Sequence, residues 1–476
     1  MSIDISAISF SADIPRGARP VVCVQGLGYV GTAMALAIAS ARDEGVPAFD
    51  VIGVELPNER GAEIVHSINT GQLPIESADP KMQQALDGAR ETGNLSATTD
   101  LGACEFASVA VVSVNLDLQT GELAPTVDLS GLRAAVRDLA SKLQPGALIV
   151  VETTVPPGTC STVLLPEIET VLSKRGLPAG SLMLAYSYER VMPGPDYFDS
   201  VRSYWRVYAG ETPEAADACD AFLSRVVDVD NYPLSRVGST TAAEMGKVLE
   251  NSYRATNIAF MEEWGRFAEA IGVDLFEVIE AIRVRPTHSN MRQPGFGVGG
   301  YCLTKDPLFA QVAAHDLFGL SLDFPFSKEA VRINGLMPFV TLDHIDHMLG
   351  GLDDRRLLVL GASYRGGVAD TRHSPSAAFA SAAIARGADV VCHDPLVTEW
   401  ELPVPPVQEL PEAAGFDAVV FAVIHDEYLG IDLLGWLGDA RPVVVDANHV
   451  LLDTQLREAA SAGCRVWSIG RGDIGA

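Results

Sequence analysis

The hydrophobic pattern of the chain changes character twice along its length. ValValCysValGln (21–25), PheAspValIleGlyValGlu (49–55), AlaSerValAlaValValSerValAsn (107–115) and AlaLeuIleValValGluThrThrVal (147–155) are near-continuous apolar runs, and others fall at 182–187 and 204–209. Helical patterns separate them, the first at about 31–44. Unbroken apolar strands alternating with helices predict a parallel sheet buried on both faces. From Ser239 to Gly272 the pattern is one long helix without proline, containing only Gly246 and Gly265, and helical segments continue to about 348 with no convincing strand. Strand logic returns at 356–361, 388–394, 416–423, 442–446 and 465–469, with the Pro-rich 402–407 as a surface loop. The expected class is α/β: two Rossmann-like doubly wound domains joined by a helical central domain with a long helix. The expected boundaries are an N-terminal extension at 1–19, a first α/β domain at 20–232, a helical domain at 233–350 and a second α/β domain at 351–476.

Composition narrows the function classes. With 48% apolar and 20% charged residues in 476, the chain reads as folded and globular, not disordered, collagenous or coiled coil. Lys plus Arg number 34 against 62 Asp plus Glu, a formal charge of −28, which repels nucleic acid and anionic membrane surfaces. No stretch approaches the roughly 20 apolar residues of a membrane helix. The first residues lack a basic start followed by an apolar core, so no signal peptide is expected. Cysteines stand at 23, 104, 160, 219, 302, 392 and 464, an odd number with no CxxC. That argues against a disulfide framework and a structural zinc site, and for a reducing cytoplasm. The histidines show no metal spacing, and no metal is expected.

Gly26-Leu27-Gly28-Tyr29-Val30-Gly31 follows the first strand and opens a helix. Its glycines allow a tight turn and close approach of a pyrophosphate to backbone N–H groups at a helix N-terminus. Glu55, at the end of the second strand, would accept from a ribose 2′-OH and repel a 2′-phosphate. NAD, not NADP, is the expected cofactor, bound by Gly26, Gly28, Tyr29, Val30, Gly31 and Glu55.

A second glycine-rich segment, Pro294-Gly295-Phe296-Gly297-Val298-Gly299-Gly300-Tyr301-Cys302, runs straight into Lys305 and Asp306. A thiol after such a loop, near a cation and a carboxylate, is either a thiolate nucleophile or a half-buried loop thiol. On the preceding long helix Lys247 and Asn251 lie four apart and share a face, with Glu244 and Arg254 close to it. On an isolated helix this polar set would read as a solvated face.

These segments, with IleAsnThrGlyGlnLeuProIleGlu (68–76), GluThrThrValProProGly (152–158), GluArgValMetProGly (189–194), GlyAlaSerTyrArgGlyGlyValAlaAspThrArgHisSerPro (361–375) and HisAspPro (393–395), give the chain its kinship. From about 20 to 470 it resembles the UDP-glucose/GDP-mannose dehydrogenase family, nearer the UDP-N-acetylhexosamine dehydrogenase branch. The resemblance implies an NAD domain, a helical middle that dimerises and a C-terminal domain for the nucleotide of the sugar. It implies oxidation of the C6 alcohol to a carboxylate with two NAD⁺, most readily on UDP-ManNAc or UDP-GlcNAc, supplying polysaccharide or glycan precursors.

The resemblance also assigns roles. Cys302 would attack the intermediate aldehyde, giving a thiohemiacetal and then a thioester. Lys247 would supply charge to the oxyanion, Asn251 would position that oxygen, and Asp306 would assist proton transfer and water activation. Thr154, which also falls among the cofactor positions, and Glu189 would line the site. Glu189, Arg190, Lys247, Asn251, Arg292, Gly299 and Arg365 are the expected substrate contacts. The expected partners are a nucleotide sugar and further copies of the chain, as a homodimer or higher homo-oligomer through the central helix, without nucleic acid or membrane.

Departures fall around the sugar and nucleotide positions. Val114-Asn115-Leu116-Asp117 stands where many members have ValProThrPro, Tyr188 replaces the usual proline before Glu189, His288 aligns with a frequent arginine, and Asn448-His449 replaces a more basic pair. UDP-glucose is the alternative substrate. The alternative reaction is the two-electron chemistry of hydroxyacid-type dehydrogenases, which need no cysteine.

Overall fold

The computed structural model describes residues 19–120 and 125–474. Apart from Arg19, the expected N-terminal extension lies outside the described residues. The chain divides into two compact units, Met1–Val248 with Phe309–Leu322, and Leu249–Leu308 with Asp323–Ala476.

The first unit is built on eight strands: β1 (Val21–Gln25), β2 (Asp50–Val54), β3 (Leu95–Thr98), β4 (Ala107–Val112), β5 (Leu148–Val151), β6 (Met183–Tyr188), β7 (Val207–Gly210) and β8 (Ser235–Arg236). They lie in the order β8-β7-β6-β5-β4-β1-β2-β3. The stretch from β3 to β6 has the doubly wound order 3-2-1-4-5-6, whose reversal between β1 and β4 opens a crevice at the strand ends. Separate apolar clusters cover the two faces, one with Leu36, Ile38 and Phe49, the other with Leu139, Ile149 and Ile168. That explains why the strand runs are apolar without alternation.

Three details differ from the sequence reading. β3, LeuSerAlaThr, pairs parallel with β2 at the sheet edge although its sequence is half polar. β7 pairs antiparallel with β6, so the sheet is not wholly parallel. The first helix, α1 (Tyr29–Ala39), stops earlier than expected, because Arg42–Asp43 and Val46–Pro47 form a two-stranded turn. A further correction concerns sulfur. Cys23 on β1 and Cys104 are fully buried and joined as a disulfide, with Cα atoms 5.8 Å apart.

The long helix α2 (Thr240–Ile271) matches the expected span and contributes to the first unit up to Val248 and to the second beyond it. In the second unit, α3 (Pro325–Leu349) packs on α4 (Pro375–Ala385). Its sheet has five parallel strands: β9 (Arg356–Leu360), β10 (Asp389–His393), β11 (Ala418–Phe421), β12 (Val443–Asp446) and β13 (Arg465–Ser468). Their order, β10-β9-β11-β12-β13, is the 2-1-3-4-5 doubly wound arrangement, reversing between β9 and β11. Among the described residues no helix is long and apolar enough to cross a membrane.

A buried ion pair lies at the strand ends of the first unit. Arg206 Nη1 is 2.5 Å from Glu152 Oε1, and both residues are almost wholly shielded from solvent. Burial pushes the Glu152 carboxyl up, against the pull of Arg206. Removing one partner of such a pair strands the other charge, at a cost of about 3–5 kcal/mol. Arg206→Met is expected to lose that much in chemical denaturation, and Glu152→Gln/Arg206→Met to recover most of it. Equal losses in single and double variants would contradict the pairing.

Candidate active site

The glycine loop after β1 is shaped by backbone packing. A Cβ on Gly31 would stand 1.7 Å from the Gly26 carbonyl oxygen, and one on Gly26, at φ +88°, would stand 2.6 Å from the Ser113 carbonyl oxygen. Gly28 differs: a Cβ there would meet nothing within 4 Å. It is the N-cap of α1, no side chain caps the helix, and its first turn holds no acid. Uncapped amides at the positive end of a helix dipole, bordered by open space, suit a pyrophosphate. Glu55 leans onto the same loop, its carboxylate accepting from the Leu27 N–H and, at 3.1 Å, from the Leu56 N–H. Tyr29 is half-buried, and its carbonyl accepts from the Tyr197 hydroxyl at 2.6 Å.

Elsewhere in the first unit, Lys247 and Glu189 come together. Lys247 is 7% exposed; its Nζ donates to the Glu189 carbonyl at 2.8 Å, lies 3.6 Å from Glu189 Oε1 and stands 5.5 Å from the Tyr188 ring centroid. Tyr188 thus supplies a π face to the lysine where a proline was the family expectation. Arg190 is turned toward the Trp205 carbonyl and the Tyr188 ring. Thr154 is half-buried in the loop after β5. That loop is tied down by Glu244, whose carboxylate accepts from Gly158 N–H at 2.5 Å and Cys160 N–H at 2.8 Å. Burial pushes the Glu244 carboxyl up to about 7, against those amides.

In the second unit the cysteine loop is pinned from several sides. The Gly295 N–H donates to Glu262 Oε1 at 3.0 Å, the Phe296 N–H to Asn448 Oδ1 at 2.9 Å, and the Gly300 N–H to the Arg372 carbonyl at 2.9 Å. Gly299 lies so close to the 361–375 segment that a Cβ would be 2.6 Å from Tyr364 Cβ and 2.7 Å from the His373 carbonyl oxygen. Cys302 itself is exposed. Its carbonyl accepts from the Lys305 N–H at 3.3 Å and the Asp306 N–H at 2.9 Å. Asp306, fully buried, takes Lys305 Nζ on one oxygen and Asn251 Nδ2 on the other, each at 2.8 Å. Arg254, half-buried one turn beyond Asn251, has its basicity lowered by burial and by Arg292, with the Cys302 charge opposing and Arg365 also acting on it. Arg292 and Arg365 are exposed, and His288 is half-buried at the end of a short 3-10 turn (Pro286–His288), its Nδ1 2.9 Å from the Thr287 hydroxyl.

Three profiles of one family match the chain in succession: the NAD binding domain at 21–226, the central domain at 241–335 and the UDP binding domain at 358–453. The chain belongs to the UDP-glucose/GDP-mannose dehydrogenase family. It is 30% identical over 434 residues to the UDP-N-acetyl-D-mannosamine dehydrogenase of Methanocaldococcus jannaschii, covering 91% of this chain and 92% of that protein. It is 28% identical to an NDP-N-acetyl-D-galactosaminuronic acid dehydrogenase of Ralstonia nicotianae over 86% of this chain and 92% of that one. Among solved structures, the UDP-D-ManNAc dehydrogenase of Pyrococcus horikoshii superposes with a TM-score of 0.79 at 27% identity, over 95% of this chain and 100% of that chain.

This family member is therefore an NAD-dependent nucleotide-sugar dehydrogenase. Its glycine loop and uncapped helix fit NAD, while Glu55, expected at a ribose 2′-OH, has its carboxylate on the Leu27 and Leu56 amides. The sequence reading did not single out Lys305, Glu262 or Tyr364 as site residues. Lys305 stood in plain view three positions after Cys302, whereas Glu262 and Tyr364 reach the cysteine loop only through folding.

Glu262 yields a pH dependence. It is 1% exposed, its Oε2 has no hydrogen-bond partner among the described residues, and burial pushes its carboxyl up to about 8 from the usual 4.5. An acid with a raised folded-state pKa stabilises fully below its unfolded value and loses that contribution as pH rises through the folded one. Its share of stability therefore drains away between pH 4.5 and about 8. Glu262→Gln should melt near wild type at about pH 4.5 and a few degrees above it at about pH 9. Parallel melting curves across that range would refute the assignment.

Proposed function

We propose that the enzyme oxidises the C6 alcohol of a UDP-N-acetylhexosamine, UDP-ManNAc or UDP-GlcNAc, to the uronic acid, with Cys302 as covalent nucleophile. The observation that carries this reading is the exposed Cys302 at the end of a pinned glycine loop, its carbonyl held by the amides of Lys305 and Asp306, with buried Asp306 fixed by Lys305 and Asn251. The N-acetylhexosamine dehydrogenases among its relatives support the substrate class. UDP-glucose is a second reading, supported by an equal TM-score of 0.79 to a UDP-glucose dehydrogenase of Pyrobaculum islandicum at 26% identity, over 96% of this chain and 99% of that chain.

NAD⁺, when bound, would supply the hydride acceptor, one molecule for each of the two oxidations of a sugar. The residues do the rest. The Cys302 thiolate adds to the C6 aldehyde carbon, and the carbonyl electron pair moves to oxygen. Lys247 supplies positive charge to such an oxyanion and Asn251 an N–H donor. After the second oxidation the carbon is a thioester. Water adds to it, Asp306 takes the water proton, the C–S bond breaks, and the thiolate leaves with the acid formed. Glu189 and Thr154 order the water, and Arg190, Arg292, Gly299 and Arg365 contact the substrate. A nucleophilic thiol of this exposure belongs in a reducing compartment, so the cytoplasm is part of the proposal; the Cys23–Cys104 disulfide, fully buried, is shielded from soluble reductants there.

A homodimer is part of it too. Tyr253, Phe260, Trp264, Phe267 and Ile271 are each about half exposed along α2, and Phe260, Trp264 and Phe267 touch ring edge to ring face. Spacings of seven, four, three and four make this a stripe suited to a second helix. Trp264→Glu should shift sedimentation from dimer to monomer, and a variant that sediments as wild type would remove the stripe from the interface.

Incubation with a panel of UDP- and GDP-sugars tests the reaction. Two NADH per UDP-N-acetylhexosamine are expected, and one NADH per sugar would overturn the four-electron scheme. Cys302→Ala should cut acid formation by at least roughly 1,000-fold while NAD binding persists. Acid production near the wild-type rate would dispose of the covalent route.

A further inference from the structure

The second unit has a buried clamp beneath the segment that carries Arg365. It sits at the strand ends where the sheet order reverses between β9 and β11, the place where open α/β sheets take ligands. Asp394, directly after β10, accepts the Ala362 N–H at 2.7 Å and the Ser363 N–H at 3.1 Å on Oδ2, and the Leu396 and Val397 N–H groups at 2.9 Å on Oδ1. His425, beyond β11, places Nε2 3.1 Å from Asp394 Oδ2 and 3.2 Å from Ser363 Oγ. The Gly367 N–H lies 3.4 Å from His425 Nδ1. A backbone N–H can only donate, so Nδ1 accepts and Nε2 carries the proton toward Asp394 and Ser363. Ser363 Oγ donates onward to the Arg365 carbonyl at 2.9 Å. Ser363, Asp394 and His425 are each at most 1% exposed.

The clamp reaches the nucleophile's loop through one side chain. Tyr364, between Ser363 and Arg365, packs against both Gly299 and Gly300, where a Cβ would come within 2.6 Å and 2.9 Å of it. Cys302 is two residues further on. A turn held from below by His425 thus presents Arg365 on one side and Tyr364, pressed on the cysteine loop, on the other.

We propose that His425, acting with Asp394 and Ser363, is a positioning residue that couples nucleotide engagement at the Arg365 turn to placement of the Cys302 loop. The coupling rests on the reading of this unit as the holder of the substrate's nucleotide. Ligand at the turn favours one arrangement of residues 363–367, and the Tyr364 contact passes that preference to Gly299, Gly300 and Cys302.

The test uses the full chain with three variants: Ser363→Ala, His425→Phe, and His425→Asn, which restores an acceptor near the Nδ1 position. UDP binding is measured by calorimetry, and iodoacetamide alkylation of Cys302 is followed by peptide mass with and without UDP. Ser363→Ala and His425→Phe should weaken UDP binding and raise KM for the nucleotide sugar by about tenfold, the loss expected for roughly one hydrogen bond. KM for NAD⁺ should stay within about twofold, and His425→Asn should recover part of the loss. UDP should change the Cys302 alkylation rate in wild type, with the change shrinking in the variants. Variants that bind UDP and transmit its effect like wild type overturn the coupling alone. An equal rise in both KM values reduces His425 to a structural role and also overturns it. Wild-type protein that binds no UDP overturns the nucleotide reading, and the coupling with it.

Discussion

One backbone contact constrains the chemistry of the second unit: Gly299 against Tyr364 and His373. The space a Cβ would need is already filled by Tyr364 Cβ and the His373 carbonyl. The cysteine loop is therefore held by a backbone carbonyl and a Cβ, atoms that no side-chain rotation can move aside. Loop glycines lose much conformational freedom on folding, and the hydrogen bonds that the Gly295, Phe296 and Gly300 N–H groups donate to Glu262, Asn448 and the Arg372 carbonyl offset that cost. Asn448 shows why a less basic residue suits its position. An arginine has no acceptor, whereas the Asn448 amide accepts from Phe296 and donates to the Ala422 carbonyl.

The formal charge of −28 gains meaning from where the cations lie. Lys247, Lys305, Arg206 and Arg471 are all buried, and each faces a carboxylate. Pairing is the condition on which an interior charge is tolerated, and its value lies in fixing geometry more than in net stability. Lys305 and Asp306 illustrate this. The Lys305–Asp306 pair and the Asn251 amide fill both oxygens of one carboxylate, so its orientation is settled before any substrate arrives. An acidic protein binds anionic ligands through such placed cations and through helix and loop amides, with no need for a basic surface.

The legible parts of this sequence were those where physics acts locally. The apolar runs of β1, β2, β4 and β5 and the proline-free stretch of α2 announce themselves, because a strand buried on both faces and a long helix each need a continuous pattern. β3 was missed because LeuSerAlaThr takes its pairing from β2 and not from its own composition. The antiparallel turn of β7 is a matter of how the chain crosses the sheet end, which an apolar run does not encode. The same divide separates the site residues. Family kinship named Asp306 and Asn251 separately, without the hydrogen bond that joins them across 55 positions, and His425 and Glu262 carry no local mark. Their importance arises only when β11 and α2 bring them under loops far away in sequence.

The cysteines show how a fold selects one nucleophile. Cys160, Cys219, Cys392 and Cys464 are buried, and burial pushes each thiol up, well above the usual range for Cys160 and Cys392. Cys160 is raised further by the Glu244 carboxylate at its side. A thiol kept protonated in an apolar setting is inert. Cys302 has the opposite setting: exposed, on a loop stripped of side chains at Gly299 and Gly300, with Arg254 close enough for their charges to interact. Reactivity here is assigned by position in the fold. The residue type is common to all these sites, and only one combines access with a cationic neighbourhood.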